Sequence, residues 1–381
     1  MTDRLRVGLI GAGNVALSDH LPTYLAHPGI FEVVAIADPT DDRLALAGRM
    51  ATLGEDSLYS SGFDLIERSD LDMVDLCTPQ STRRDLVLAA AAAGNHVLSE
   101  KPLATIPADA AEMVGAMRAA GLRYGIVHNY LYFPEVLRVL EIIRAAEIGP
   151  VEIAMLDWLG VVDAPGNASF RPGWRHDPRL AGGGVLMDML HIVYLAEALL
   201  GKRIERVSAW VDSRRDGSPV EDLTLSRFEA PDAAALVNVG WGSGPGGFRV
   251  SGPDGRIEVT YRDGASGAFA PFERLVVHGR SGRAEETELA ADDSMGGILL
   301  DFAGAIQEGR EPVASGEQGL HILETVLAVY ESAASGRTIE LPLAPDDPVR
   351  SLGVAGLREL AMPPWSQVRR RRMFGLGADP A

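Results

Sequence analysis

The chain has one cysteine, Cys77, among 381 residues, so no intrachain disulfide can form. It is also short of positive charge. Thirty-five lysines and arginines stand against 53 aspartates and glutamates, a formal charge of −18, which argues against nucleic acid as a partner because such binding needs a basic surface. No apolar stretch runs uninterrupted for long enough to span a bilayer, and the alanine-rich run Leu86 to Ala93 reads as helix filler. No basic stretch followed by an apolar one opens the chain, so the expected location is the cytoplasm. What is there is a globular composition, 46% hydrophobic and 23% charged. At roughly 150 residues per domain it predicts two or three domains.

The first of these opens with a strand, a glycine turn and a helix. Leu5 to Ile10 is an apolar strand, Gly11-Ala12-Gly13 is the turn, and Val15 to Leu25 places Leu17, Leu21 and Leu25 on one helical side. Gly11 permits the tight turn and Gly13 lets the backbone approach a pyrophosphate. The helix start then offers free N–H groups and a positive dipole end to it. A second apolar strand, Phe31 to Ala37, ends in Asp38, the acid expected roughly 20 residues past the turn to bond a ribose hydroxyl. Pro39 and Thr40 follow it, with no arginine among them to pair with a 2′-phosphate, so the reading favours NAD over NADP.

Strands and helical segments continue to alternate through Met73 to Cys77, His96 to Leu98 and Tyr124 to Val127, which predicts a doubly wound parallel sheet. Ligands bind at the carboxyl ends of such strands, where Gly11, Asp38, Thr78-Pro79 and Glu100-Lys101-Pro102 all fall. Lys101 is therefore expected beside a bound dinucleotide. Cys77, at the end of its strand, reads as a packed thiol.

After about Asn129 the pattern changes. A helix at Glu135 to Ala146 and a strand from Val151 lead into a long irregular stretch, Gly160 to Arg179, and loops of that length tend to be functional. Gly182-Gly183-Gly184 then opens an apolar helix, Val185 to Leu200. Val207 to Val211, Leu223 to Phe228, Ala234 to Trp241, Arg249 to Ser251, Arg256 to Thr260 and Arg274 to Val277 follow as strands of a mostly antiparallel sheet. The expected division is residues 1–129, an α+β domain over 130–342, and a C-terminal extension, 343–381, with the basic run Arg369 to Arg372. The extension reads as solvated or partner-docking.

Asp188 and His191 interrupt the apolar helix three residues apart, on one face. Oxidising a secondary alcohol needs a base for the hydroxyl proton and a cation to steady the developing alkoxide. Histidine suits the first task and lysine the second, with Asp188 fixing the imidazole tautomer or holding a substrate hydroxyl. One histidine and one aspartate without a third clustered ligand make a poor zinc site, so no metal is expected. The loop Phe170 to Asp177 precedes the helix. Arg171, Trp174 and Arg175 in it, with Asn129, Tyr130 and Trp158, supply an aromatic face and hydrogen-bond donors suited to a polyhydroxylated ring. The arginines also suit a carboxylate or phosphate.

Taken together, Gly11-Ala12-Gly13-Asn14-Val15, Ala37-Asp38, Thr78-Pro79, Gly94-Asn95-His96-Val97 into Glu100-Lys101-Pro102, Asn129-Tyr130 before Pro134, and Gly182-Gly183-Gly184 before Asp188 and His191 resemble the Gfo/Idh/MocA family of sugar and cyclitol oxidoreductases. The resemblance covers residues 5 to 342. It implies a Rossmann domain plus an open-sheet domain, and NAD or NADP held by Gly11, Gly13, Asn14, Val15, Asp38, Thr78, Pro79, Glu100, Lys101 and Asn129. It also implies Lys101 and His191 as catalytic groups with Asp188 beside them, and a homodimer or homotetramer formed through the open sheet. A cis bond before Pro102 is a further expectation. Three departures stand out: an Asp-to-His spacing of three rather than four, Leu131 where many members have arginine, and Arg83 where many have histidine.

The sequence thus predicts an NAD-dependent dehydrogenase acting on a CH–OH group of a sugar, sugar derivative or cyclitol. Two alternatives stay open: redox-neutral cleavage of a glycosidic bond through transient oxidation, and a non-catalytic sensor of NAD or sugar.

Overall fold

The computed structural model describes residues 4–163, 176–213, 218–242, 244–262 and 272–358. They fall into two compact units, one of residues 4–129 with Met295–Leu320, the other of the remaining described residues.

The first unit is built on six strands: β1 (Leu5–Ile10), β2 (Phe31–Ala37), β3 (Leu58–Tyr59), β4 (Met73–Leu76), β5 (His96–Ser99) and β6 (Tyr124–Ile126). All pair in parallel, in the order β3-β2-β1-β4-β5-β6. This is the doubly wound order, whose direction reverses between β1 and β4 and opens a crevice at their carboxyl ends. Helices cover both faces of such a sheet, which is why β4 and most of β1 are buried without alternation. β3, at two residues, is too short to leave a pattern in the sequence.

Met295–Leu320 groups with this unit, although the sequence reading placed it in the second domain. Ile126 N–H donates to Ala314 O at 2.9 Å, and Gly125 bridges Ser315. Glycines let the segment lie against β6: a Cβ on Gly316 would sit 2.7 Å from the Tyr124 ring, and one on Gly319 2.7 Å from Ile126.

The second unit carries β7 (Ile153–Val161), β8 (Arg206–Asp212), β9 (Leu223–Ala230), β10 (Ala233–Trp241), β11 (Gly246–Gly252), β12 (Gly255–Tyr261), β13 (Phe272–Gly279), β14 (Gly282–Glu286) and β15 (Ile339–Glu340). They form one sheet, β14-β13-β12-β11-β7-β10-β9-β8-β15, antiparallel except for the β7–β10 pair. β9 shows the alternation that earns a half-buried strand its place: Thr224, Ser226 and Phe228 are buried while Leu225 and Arg227 face out. The helix His191–Leu200 packs against β7 and β10, and its apolar surroundings match its apolar composition.

That helix corrects the sequence reading. Val185 to Leu200 is not continuous. One short turn, Val185–Asp188, ends at Met189, whose backbone leaves the helical region at φ −105° and ψ 32°, and a second helix begins at His191. The helical segments before and after the break are bent by 45°. Asp188 and His191 thus occupy the last and first positions of two elements and do not belong to one continuous helix. A two-residue break leaves the apolar pattern unbroken, so periodicity does not reveal it. The extension is corrected too. Pro348–Leu352 and Gly353–Arg358 are helical and bury Val349 and Leu357, while Arg369 to Arg372 lie outside the described residues. Among the described residues no single helix is long and apolar enough to cross a membrane.

Candidate functional site

The glycine turn follows β1 directly. Gly11 has φ +97°, and a Cβ there would meet Cys77 O at 2.7 Å, so both backbone conformation and space require glycine. Gly13 differs. The nearest atom to a Cβ at Gly13 is Cys77 O at 4.0 Å, so the protein's own packing tolerates a side chain there and an approaching ligand is what glycine leaves room for. Asp38 reaches back to this turn: Oδ2 accepts from Ala12 N–H at 2.7 Å, and Oδ1 from Thr40 N–H at 2.8 Å. A carboxylate has roughly four acceptor positions, so both oxygens keep capacity for a hydroxyl. Asn14 Oδ1 accepts from the Arg43 guanidinium at 2.7 Å. Reading only Pro39 and Thr40 missed this arginine, which comes from the next helix, Asp41–Ala51. After Val15 the helix widens over Ala16–His20 before the regular turn Leu21–Ala26, where Pro22 lacks the N–H a regular ladder would use.

Lys101 follows β5 in a turn that is held from three sides. Its own N–H donates to Glu100 Oε2 at 3.0 Å. The buried Arg83 guanidinium donates to the carbonyls of Glu100, Pro102 and Thr78, so the residue that departs from the resemblance clamps the turn. The Lys101–Pro102 bond is cis, as expected. Beneath the turn lies a buried network: His20 Nε2 is 3.1 Å from Glu100 Oε1, His20 Nδ1 is 2.7 Å from Asp75 Oδ2, and Tyr24 Oη donates to Asp75 at 2.9 Å. Burial works against a charge on His20, but Asp75 outweighs it and holds the imidazolium well above its ordinary range. Burial likewise works against the Glu100 carboxylate, and His20 pulls it below its usual value. A protonated ring has a donor for each carboxylate, which is the state both ring contacts require. His128, buried nearby, is pushed down to about 3 by burial and stays neutral.

His20, Asp75 and Cys77 also bring donor atoms within 4.8 Å of one another. Their geometry is that of a hydrogen-bonded ion pair. Two ligands of one zinc, each about 2.0–2.2 Å from it in a tetrahedron, stand well over 3 Å apart, whereas Nδ1 and Oδ2 are at 2.7 Å. Burial pushes the Cys77 thiol up to about 12, so it is protonated.

In the second unit the aromatic rings gather around His191. Tyr130 stacks on the imidazole with centroids 4.0 Å apart and planes 16° from parallel. Tyr194 Oη lies 2.6 Å from His191 Nδ1 and accepts from Tyr130 N–H at 3.1 Å. Burial and then the nearby Asp188 charge push the Tyr130 phenol far up, so it remains neutral. Asp188, Tyr130 and His191 are therefore neighbours. Trp158 is not an open wall: it is 1% exposed and packs against Phe248 and Tyr261 in the core. Arg171, Trp174 and Arg175 lie outside the described residues. Asn129 is half-buried at the start of the turn Asn129–Tyr132.

His20, Asp75, Arg43, His128 and Tyr194 escaped the functional reading. Only Asp75 carried a plain signal, as an acid inside a fully buried strand.

A doubly wound sheet with this glycine turn and acid defines a dinucleotide-binding fold. Comparison with known proteins agrees. The oxidoreductase-family NAD-binding Rossmann fold matches residues 5–128, and the GFO/IDH/MocA C-terminal domain matches residues 136–285. The chain belongs to the GFO/IDH/MocA oxidoreductase family, and its cofactor is NAD. It is 28% identical over 353 residues to D-apiose dehydrogenase of Paraburkholderia graminis, covering 89% of this chain and 90% of that one. It is 27% identical over 363 residues to myo-inositol 2-dehydrogenase of Thermotoga maritima, covering 88% and 98%. Among solved structures, the aldose-aldose oxidoreductase from Caulobacter crescentus complexed with glycerol matches with a TM-score of 0.79 and 26% identity, over 89% of this chain and 100% of that one. The strand ends fit the cofactor on their own terms as well. The space at Gly13 suits a pyrophosphate, and the buried Thr78 Oγ1 has no hydrogen-bond partner among the described residues.

Proposed function

We propose that the protein is a dehydrogenase that moves a hydride between NAD and a CH–OH carbon of a sugar, sugar derivative or cyclitol. The names of its relatives support the substrate class, and the held imidazole of His191 carries the chemistry. Gly11, Gly13, Asn14, Val15, Asp38, Thr78, Pro79, Glu100 and Asn129 would hold the dinucleotide. When bound, its nicotinamide accepts or returns the hydride.

The protein's own residues manage the proton and the charge. Tyr194 Oη has two lone pairs, enough to accept the Tyr130 amide and a proton-bearing His191 Nδ1 together. That arrangement leaves Nε2 as the basic nitrogen, which takes the hydroxyl proton as the alcohol is oxidised. The Lys101 ammonium steadies the developing alkoxide, and Asp188 accepts a hydrogen bond from a substrate hydroxyl. Tyr130, 1% exposed and packed against His191 and Phe133, holds the imidazole and offers no open face to a substrate, and Arg171, Trp174 and Arg175 are proposed as the substrate contacts. His191→Asn, which keeps a polar side chain but no base, is expected to lower kcat by about 10²–10⁴. Turnover within a factor of two of the parent would remove the role.

The outer face of the second sheet supports assembly into a homodimer or homotetramer. Trp210, Leu225, Leu236 and Ile153 project from neighbouring strands and are 37–49% exposed. An apolar patch of this kind commonly marks an interface. Light scattering coupled to size exclusion tests it: Leu225→Lys should lower the assembled mass, and a parent already monomeric would refute it.

A further inference from the structure

Glu221 lies just before β9, wholly buried, and the proposed mechanism does not use it. Its Oε2 accepts from Gly184 N–H at 2.7 Å and its Oε1 from Leu186 N–H at 3.0 Å, 37 and 35 residues back in the chain. Tyr330 Oη donates to Oε1 at 2.8 Å. The backbone joins in, since Val185 N–H donates to Glu221 O at 3.1 Å. The fit is tight enough to explain the glycines. A Cβ on Gly184 would sit 2.1 Å from Glu221 O, and one on Gly183 would sit 2.2 Å from Tyr330 Oη.

Three hydrogen bonds to Glu221 therefore converge on the start of the turn Val185–Asp188, a fourth from Tyr330 braces the carboxylate, and the turn ends at Asp188, three residues before His191. That turn is too short to hold its shape alone, because a single helical turn fixes several dihedrals for one or two bonds. Something outside it has to supply the order. We propose that Glu221 is a positioning residue for Asp188 and His191: braced by Tyr330, its carboxylate grips the amides of Gly184 and Leu186 and so sets the turn that presents both side chains. The inference rests on the roles proposed above for Asp188 and His191, but the grip itself is a matter of structure that can be measured without substrate.

The grip also depends on charge. All three groups facing the carboxylate can donate, an environment made for the ionised form, and hydrogen bonds to a charged acceptor are about twice as strong as neutral ones. Burial pushes the Glu221 carboxyl up to about 7 against the pull of these donors. Among the described residues Tyr330 is the titratable side chain bonded to it, and its phenol, pushed well up by burial and then by Glu221, stays neutral. Glu221 is thus largely protonated at pH 6 and ionised at pH 8.5, and the turn tightens between them.

The test is amide hydrogen exchange of the full-length protein without ligand, followed over residues 184–190 at pH 6 and pH 8.5 and corrected for the intrinsic pH dependence. In the parent, protection of the Leu186 amide should rise about tenfold at the higher pH. In Glu221→Gln, protection should be lower and the same at both pH values, because an amide cannot ionise and its NH₂ faces a donor. Tyr330→Phe, which keeps the ring and removes only the brace, should lie between the two and retain the pH dependence. Parent-like, pH-dependent protection in Glu221→Gln would overturn the proposal, and so would a parent whose protection does not change with pH. NAD reduction by the parent's best sugar or cyclitol substrate supplies the functional readout: Glu221→Gln should lower kcat more than tenfold and change KM less than threefold. An equal loss in kcat at every pH for Glu221→Gln and Glu221→Ala, with unchanged exchange, would also overturn it. His191→Asn run alongside keeps the two claims apart. If that variant is fully active, the roles of Asp188 and His191 fail, whatever the exchange over residues 184–190 shows.

Discussion

Tyr130 lies flat against His191, ring centroids 4.0 Å apart, and the amide of the same tyrosine bonds the Tyr194 hydroxyl that meets His191 Nδ1. One residue thus fixes the imidazole twice, by its ring and through its backbone. A ring pair of this kind is worth about 0.5–1.5 kcal/mol beyond its buried area. Tyr130→Phe should keep the stack and most of kcat. Tyr130→Ala should free the ring and lower kcat at least tenfold, with NAD affinity within twofold. Steady-state kinetics with NAD titrated by fluorescence checks both parts.

Tyr194→Phe removes the hydroxyl at Nδ1 but none of the apolar packing. kcat should fall about tenfold or more through loss of tautomer control, consistent with one hydrogen bond to a catalytic base. An unchanged kcat and pH profile would mean that Tyr194 only packs.

The Lys101 turn gives a different kind of prediction. Because Arg83 and Glu100 hold its backbone, Lys101→Ala should leave the turn and NAD binding intact while kcat falls by about 10²–10⁴. NAD affinity by calorimetry separates that result from a collapsed site, in which both would be lost together.

Much of this was legible from the chain and some was not, for identifiable reasons. The glycine turn, the acid after β2 and the lysine after β5 each sit at the end of an apolar strand, and strand ends can be read from a sequence. The break between Asp188 and His191 could not, because Met189 and Leu190 continue the apolar pattern through it. The partners of His20 were hidden for another reason: Asp75 and Glu100 are 55 and 80 residues away, and no local periodicity records a pairing between a helix and two positions so far along the chain. Arg83 was noticed only as a departure, and its clamp on three carbonyls depends on where two strand ends meet.

The His20 network predicts a pH dependence of stability. The folded pKa of His20 lies above its unfolded value of about 6.5. Its contribution is therefore complete below about pH 6.5 and is lost as pH rises through the folded value. The stability difference between the parent and His20→Gln in urea should be largest below pH 6.5 and shrink above neutrality. Imidazole ¹⁵N shifts should show both ring nitrogens of His20 protonated at pH 7.5, and a neutral ring at that pH would contradict the network.

Asp38 and Arg43 predict cofactor choice. Asp38→Ala should weaken NAD much more than NADP, because it removes the ribose acceptor and the charge that repels a 2′-phosphate while Arg43 remains beside Asn14. Equal losses for both dinucleotides would assign Asp38 only to bracing the glycine turn through Ala12.

The most direct measurement of the central claim follows nicotinamide absorbance when the purified protein is given NAD with sugars, sugar acids, glycosides and inositols in turn. Reduction should depend on a particular CH–OH substrate and disappear in both Lys101→Ala and His191→Asn. NAD that binds but is never reduced, while a glycoside in the same panel is cleaved, would contradict it.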